Sequence, residues 1–499
     1  VTYALLITAF IISTCGLIYE LIASTVASYL LGDSVTQFST VIGVYLFSMG
    51  VGSFLSKYIE KNVVFTFIQV EMLVGMVGGC SAAILFSFFD QVENFRILLY
   101  SLVGIIGILI GLEIPLLMRV LKNRLEFKDL VSQVFTFDYV GALLASLLFP
   151  LVLVPYLGLL RASFLFGLLN VFVSLWTIHL FREELPWLKT LRTSAIILII
   201  SLTCGFVYSD RIVNLAESAN FQETIIYSTS TPYQRIVVTG GRDMRLFLNG
   251  NLQFNTRDEY RYHEALVHPA LSSHPNPRQI LVLGGGDGMA VRELLKYPSI
   301  DSITLVDLDP EMTGMFKNQE LFAQLNNHSL SSPKVTIINQ DAFNWLRKCK
   351  DHFDVAIVDF PDPSNYSLGK LYTDTFYKAL KRVMNEDGLT VIQSTSPYYA
   401  KNSYWCVVTT LNSIDMHTTP YHAYVPSFGD WGYVIASNKP FQFGNRFPGG
   451  LRYISPETVS QMTTFPKDML PTVRSVNKLN NQTLVHLFES EWSQYVESN

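Results

Sequence analysis

Residues 279–288 read Gln279-Ile280-Leu281-Val282-Leu283-Gly284-Gly285-Gly286-Asp287-Gly288, and a helical pattern, Met289–Lys296, follows. A short run of branched apolar residues, then glycines, then a helix describes a buried parallel strand turning sharply into a helix. The unit repeats downstream. Ser302–Val306 is the next strand and ends at Asp307; Val335–Ile338, Phe353–Val358 and Gly388–Gln393 continue the set. Strands alternating with helices predict a mostly parallel, doubly wound α/β sheet that takes its ligand at the carboxyl ends of the strands. Ahead of it, Gln222–Tyr227, Gln234–Thr239 and Met244–Leu248 read as strands, with Gly240-Gly241 and Asn249-Gly250 as turns, so a small antiparallel sheet precedes the main one.

The residues before about 210 are composed for a different solvent. The 499-residue chain is 49% hydrophobic and only 15% charged, against about 25% charged in ordinary soluble domains. The apolar excess lies in seven stretches, 1–31, 35–56, 63–89, 97–118, 131–154, 157–180 and 192–208. Each is near the roughly 20 residues that cross a bilayer as a helix. A run from Val1 with no basic leader reads as a spanning helix rather than a signal peptide. Pro155, Tyr156 and Leu157 separate the fifth and sixth stretches, as a tight hairpin or one broken element. Glu20, Glu71, Glu113 and Asp138 fall inside the apolar stretches, either around a cation-attracting cavity or as helix-to-helix hydrogen-bonding groups. Gly75, Gly78 and Gly79 suit close helix packing. A net charge of -5 argues against a nucleic-acid surface. The 5 cysteines show no zinc or disulfide spacing, and no metal site is expected.

The glycine turn allows close approach of a ligand, and an acid about twenty residues on can accept both ribose hydroxyls. Asp307 fits that role, with Asp309 as second choice. The usual dinucleotide fingerprint is G-x-G-x-x-G, and its last glycine is not in place here. Asp287 beside the turn would repel a pyrophosphate but suits cationic sulfur or an amine, which points to an S-adenosylmethionine-type ligand. Asp341, after the strand at 335–338, can accept from an adenine amino group or simply start a helix. Asp359-Phe360-Pro361-Asp362-Pro363 sets two carboxylates at the active edge. An ammonium group has no free lone pair, and Asp359 is placed to take its proton. Asp362 could steer and hold the cation. Residues 364–370 could form a covering loop that excludes water.

These residues resemble those of the spermidine synthases, or polyamine aminopropyltransferases. The matching stretches are Tyr233-Gln234, Thr256–Glu264, Leu283–Gly288, Val306–Pro310, Gln340-Asp341 and Val358–Pro363, within roughly 221–440. The whole chain resembles bacterial members in which a multi-helix hydrophobic region precedes the synthase-like domain. The resemblance implies a Rossmann-like methyltransferase/spermidine synthase-type domain behind a multi-pass α-helical membrane domain. It implies decarboxylated S-adenosylmethionine as cosubstrate, with no tightly bound cofactor, and transfer of its aminopropyl group to an amine with release of methylthioadenosine. Gln234, His263, Asp287, Asp307 and Asp341 resemble cosubstrate-contacting positions. Tyr262 resembles a residue beside the transferred group, Asp359 the base and Asp362 an amine-binding acid.

After the strand at 388–393 the chain reads Ser394-Thr-Ser-Pro-Tyr-Tyr399, without the acid or amide that holds a diamine in many soluble enzymes. Phe428 stands near a place where those enzymes can offer a tyrosine hydroxyl, and Asp430 and Trp431 could build a different acceptor wall. The expected organisation is a membrane domain over 1–210, a linker and small β-rich subdomain over 211–266, a catalytic domain over 267–445 and a C-terminal extension over 446–499. Membrane lipid, a small-molecule amine and a second copy of the chain are the expected partners. Competing readings are an enzyme using intact S-adenosylmethionine for other sulfonium chemistry, and a polyamine transporter or sensor. Basic residues fall in alternate loops: Lys57 and Lys61; Arg119, Lys122, Arg124 and Lys128; Arg182, Lys189 and Arg192. With seven spans in a bacterial inner membrane, the positive-inside rule puts residues 210–499 outside. The cytoplasmic origin of a sulfonium nucleoside puts them inside.

Overall fold

The computed structural model describes residues 2–31, 34–89, 94–122, 125–209, 211–212 and 223–497. Several sequence expectations fall partly outside them: Val1 of the first apolar stretch, Arg124, residues 213–222 of the linker with the strand start at Gln222, and the last two residues of the C-terminal extension. The chain forms two compact units, Val1–Thr224 and Ile225–Asn499.

In the first unit the apolar stretches are helices: α1 Thr2–Leu31, α2 Ser34–Leu55, α3 Val63–Phe88, α4 Phe95–Leu121, α5 Phe127–Leu148, α6 Gly158–Leu180 and α7 Leu188–Val207. Phe149–Leu157 winds more widely, as a π-helix, between α5 and α6, so Phe127–Leu180 is one helical run of 54 residues. It is not one straight rod. Asp138 and Gly141 of α5 accept hydrogen bonds from Ser13 and Thr14 of α1. Phe166 and Asn170 of α6 accept from Cys15 and Tyr19 of the same helix. A straight helix would separate residues 141 and 166 by about 38 Å, so the chain folds back between them. Pro155 and the positive φ of Gly158 (71°) mark the break.

Close backbone approach holds these helices together. A Cβ on Gly75 would stand 2.8 Å from the Gly167 carbonyl, and one on Gly167 2.6 Å from that of Gly75. The buried Glu71 accepts from Asn170 Nδ2 at 3.0 Å, and Asn170 accepts from Tyr19 at 3.1 Å. Glu71 thus serves hydrogen bonding between helices. Large apolar side chains, among them Phe47, Leu143, Leu151 and Ile197, face outward. That is the inverse of a water-soluble surface.

The second unit opens with a four-stranded antiparallel sheet in the order β1-β2-β3-β4: β1 Thr224–Ser230, β2 Arg235–Gly240, β3 Met244–Leu248 and β4 Asn251–Asn255. β4 was not expected. It follows from the Asn249-Gly250 turn, where both residues have positive φ and the chain reverses at once. After α8 (Glu259–Ser273) come β5 (Gln279–Gly284), α9 (Met289–Leu294), β6 (Ser302–Asp307), α10 (Pro310–Asn318), β7 (Val335–Asn339) and α11 (Ala342–Lys348). β8 (Phe353–Asp359), α12 (Asp374–Val383), β9 (Met384–Gln393), α13 (Lys401–Asn412), β10 (His417–Val425), β11 (Gly429–Ser437) and α14 (Thr483–Glu497) complete it. The main sheet runs β10-β11-β9-β8-β5-β6-β7, with β9 to β7 parallel and β10 and β11 antiparallel. Apolar clusters cover both faces of this sheet, as a doubly wound sheet requires.

Candidate active site

Strand order reverses between β5 and β8, and a crevice opens at such a point. The register there pairs Gly284 with Asp359, and across the same edge Asp307 with Asn339 and Gln393 with Tyr433. The glycine turn therefore lies beside the first acid of the Asp359–Asp362 segment. A Cβ on Gly284 would meet the Asp359 carbonyl at 2.2 Å, and its φ is 78°. Glycine is required twice over, by conformation and by proximity.

Asp359 Oδ1 accepts a hydrogen bond of 2.6 Å from the Tyr262 hydroxyl. Burial pushes the Asp359 carboxyl up to about 6, although the charge of His263 works the other way. Burial, with Asp359 beside it, holds the Tyr262 hydroxyl well above its usual range, so it remains a donor. His263, next on α8, sits with Nδ1 2.8 Å from Glu259 Oε2. Burial opposes its positive charge, but Glu259 outweighs that and raises its pKa. Arg292 clamps Glu259 from α9 at 2.9 and 3.1 Å. The Glu259–His263 pair has the i,i+4 spacing of helix neighbours; that signal was present in the sequence and not used. Asp287 is buried, accepts from Met289 N at 2.9 Å, and is raised by burial.

On the other side of the glycine turn, Asp307 accepts from Gly286 N at 3.1 Å and Asp309 N at 2.9 Å. Burial raises it to about 6. Asp309 is engaged differently. One oxygen caps α10 at Glu311 N, and the other accepts from Gln234 Nε2 and Thr231 Oγ1 at 2.9 and 2.8 Å. Asp307 therefore borders the glycine turn directly, while Gln234 bonds to Asp309. Asp341 starts a helix and also carries an ion pair. Oδ1 caps α11 through Asn344 N at 2.8 Å, while Oδ2 takes Lys370 Nζ at 2.7 Å.

Asp362 lies against β9. It accepts from Gln393 Nε2 at 3.4 Å and Thr395 Oγ1 at 3.2 Å, and burial raises it to about 7. Gln393 also donates to the Phe360 carbonyl and to Tyr372 Oη, and accepts from Trp431 Nε1 at 3.1 Å. Gln393, one position before that segment, thus sets an amide against Asp362. Gln393 was hidden because it ends a buried strand. Thr395 holds an unusual positive φ of 51° beside it. Phe428 packs on Trp431 and faces Tyr262, with centroids 5.2 and 6.1 Å apart. Asp430 instead pairs with His422 at 2.7 Å across the β10–β11 hairpin, as alternation along a strand dictates. Trp431 thus bonds to Gln393, and Asp430 to His422 within the sheet.

Residues 259–445 match the spermine/spermidine synthase domain. The chain is 52% identical over 495 residues to a polyamine aminopropyltransferase of Leptospira interrogans, covering 99% of both chains. It is 51% identical to polyamine aminopropyltransferase 2 of Ralstonia nicotianae, covering 98% of each, and 38% identical to polyamine aminopropyltransferase 1 of Streptomyces coelicolor, covering 99% of this chain and 95% of that one. A crystal structure of spermidine synthase with the transition-state analogue AdoDATO is 27% identical, covers 49% of this chain and 88% of its own, and has a TM-score of 0.46.

Proposed function

We propose that this chain, which belongs to the polyamine aminopropyltransferase family, carries the aminopropyl group of decarboxylated S-adenosylmethionine to an amine acceptor while anchored in a membrane by residues 1–210. Aminopropyl transfer to a polyamine acceptor from an S-adenosylmethionine-derived cosubstrate is the chemistry of the family. The observation that carries the finer reading is the acid pair: Asp359 in register with the glycine turn and hydrogen-bonded to Tyr262, and Asp362 against Gln393.

In the proposed reaction Asp359 accepts a proton from the acceptor ammonium, which frees the nitrogen lone pair. The nitrogen bonds to the aminopropyl carbon beside the sulfonium, the carbon–sulfur electrons return to sulfur, and neutral methylthioadenosine leaves. Tyr262 orients Asp359 and keeps it ionised. Asp362 holds the cation, Asp307 takes the ribose hydroxyls, and Asp341 the adenine amino group. Intact S-adenosylmethionine would bring its own carboxylate towards Asp287 and Asp359, and like charges repel there; this favours the decarboxylated cosubstrate. We assign the second unit to the cytoplasmic side, where that nucleoside is made, although seven spans and the basic loops weigh the other way.

The test is a mass-spectrometric product assay on the full-length protein with both sulfonium nucleosides and a panel of amines. Methylthioadenosine and an elongated amine are expected, with transfer lost and nucleoside binding kept in Asp359→Asn. Exclusive conversion of the intact nucleoside to its homocysteine product would refute the reading.

A further inference from the structure

The synthase domain match ends at residue 445, yet residues beyond it, Asn477 and α14 among them, pack against the loop that follows Asp362. The segment between Asp362 and α12 forms one helical turn, Tyr366–Gly369, and a 3-10 turn, Lys370–Tyr372. Its inner end is fixed at the site, where Tyr372 Oη donates to the Pro361 carbonyl at 3.1 Å. Its outer side rests on the extension. Leu368 and Leu371 pack in the same apolar cluster as Leu484 and Leu487 of α14, and Tyr366 Oη lies 3.2 Å from His486 Nε2.

One residue ties the arrangement together. Asn477 is wholly buried. Its Nδ2 donates to the Gly369 carbonyl at 3.0 Å, and its own carbonyl accepts from Asp374 N, at the start of α12, at 3.0 Å. Its backbone N–H donates to Thr410 Oγ1 of α13 at 2.9 Å, and its Oδ1 accepts from Leu484 N in the first turn of α14 at 3.2 Å. At the far end of α14, Glu491 accepts from the backbone N–H groups of Asn402 and Ser403 at 2.9 and 3.0 Å and so caps α13. α13 follows directly on Ser394–Tyr399, the acceptor-side segment. Gly369 marks how close the two surfaces are. Its φ is an ordinary helical −56°, so glycine is not required by conformation. A Cβ there would stand 2.4 Å from Val485 Cγ2 of α14.

We infer that the C-terminal extension is the backing against which the loop at 364–372 is held over the acceptor end, with Asn477 as the positioning residue. A loop fixed on one side by Tyr372 and on the other by Asn477 and α14 presents one arrangement to the incoming amine. Release from α14 loosens the acceptor end while Asp307, on the far side of the glycine turn, keeps its contacts. What the loop covers rests on the transferase reading; that α14 holds the loop does not.

The experiment uses Gly369→Ala in the full-length protein. Its methyl group is driven into Val485 while the backbone conformation stays open to alanine. Tryptic cleavage at Lys370 should quicken about tenfold, and kcat/KM for the amine should fall about tenfold, with methylthioadenosine affinity not weakened and raised by no more than about fivefold as Lys370 leaves Asp341. The added Cβ would also stand 2.6 Å from Gln482 Oε1, so Val485→Ala together with Gln482→Gly, which removes both struck atoms, should restore both protection and turnover. Unchanged cleavage in Gly369→Ala, or a loss that the paired substitutions leave in place, overturns the inference. Should Gly369→Ala fail to fold, Tyr366→Phe should raise cleavage about two- to fivefold by removing only the hydroxyl at His486, and unchanged cleavage there overturns it equally. Absence of transfer with every amine in the parent chain would instead refute the transferase reading, because the cleavage measurement needs no turnover.

Discussion

Replacing Tyr262 by phenylalanine should move the acid limb of the rate profile as well as lower its height. The ring stays packed, with His263 5.0 Å, Tyr433 5.6 Å and Phe428 6.1 Å away between centroids, and only the hydroxyl on Asp359 is lost. That 2.6 Å bond goes to an ionisable acceptor and favours its charged form. A hydrogen bond to a charged group contributes about 1.5–3 kcal/mol, and a pKa unit corresponds to about 1.36 kcal/mol. The Asp359 carboxyl should therefore rise by about one to two units from its starting value of about 6. At pH 7 the ionised fraction drops from about nine-tenths to between about one-half and one-tenth, and the deficit disappears near pH 9. The assay is kcat/KM for the amine from about pH 5.5 to 9.5, read as the ratio of parent to variant. The amine's own titration cancels in that ratio. A uniform loss at every pH, with the acid limb unmoved, would refute the assignment of Asp359 as the titrating base.

The other predictions concern stability, the nucleoside and the membrane. Asp362 has a folded pKa of about 7, above its unfolded value near 4. Its charged form therefore destabilises the fold above pH 7, and the effect fades as pH falls towards 4. Asp362→Asn should raise the melting temperature at pH 8, the gain shrinking by pH 5; a gain independent of pH would contradict this. Lys370→Met frees Asp341 Oδ2 and should tighten methylthioadenosine binding about two- to fivefold, the scale of an exposed ion pair. Weaker binding in calorimetry would mean that Lys370 holds the nucleoside rather than competing for its acid. In sealed inverted inner-membrane vesicles, protease added outside should cut residues after 223. Protection there, with cutting in right-side-out spheroplasts, would place the transferase unit outside.

The sheet was readable because its strands are buried on both faces and so appear as unbroken apolar runs; Val355, Ala356, Ile357 and Val358 have no exposure at all. The glycine turn and the acids at the strand ends were readable because chemistry demands those residue types at those places. Gln393 was not, since its position in the chain makes it a strand residue and only the register exposes it as a site residue. Asp309 and Asp430 look like candidates in one dimension, but their partners, Gln234 and His422, come from other elements. The hairpin strands β10 and β11 alternate less plainly, and their antiparallel pairing depends on the turn at Ser427–Gly429. Distant partners and register are the parts of a fold that no local pattern encodes.

The same distinction separates acids that build the fold from acids that meet a substrate. Glu259 and Glu293 each have a basic side chain at 2.9 Å or closer, so their charges are matched within the protein. Among the described residues no ion pair holds Asp359 or Asp362. Their direct partners are neutral donors: Tyr262 for one, Gln393 and Thr395 for the other. Neutral donors orient a carboxylate and lower its pKa somewhat but do not cancel its charge, and burial keeps both groups raised. On the proposed function the acceptor's cationic amine supplies the counter-charge. An acceptor without a second positive group would leave one of the two acids uncompensated. A diamine should therefore outperform the monoamine of equal length, and the preference should collapse in Asp362→Asn while persisting in Lys370→Met. Equal preference in all three proteins would show that Asp362 does not read the acceptor's charge.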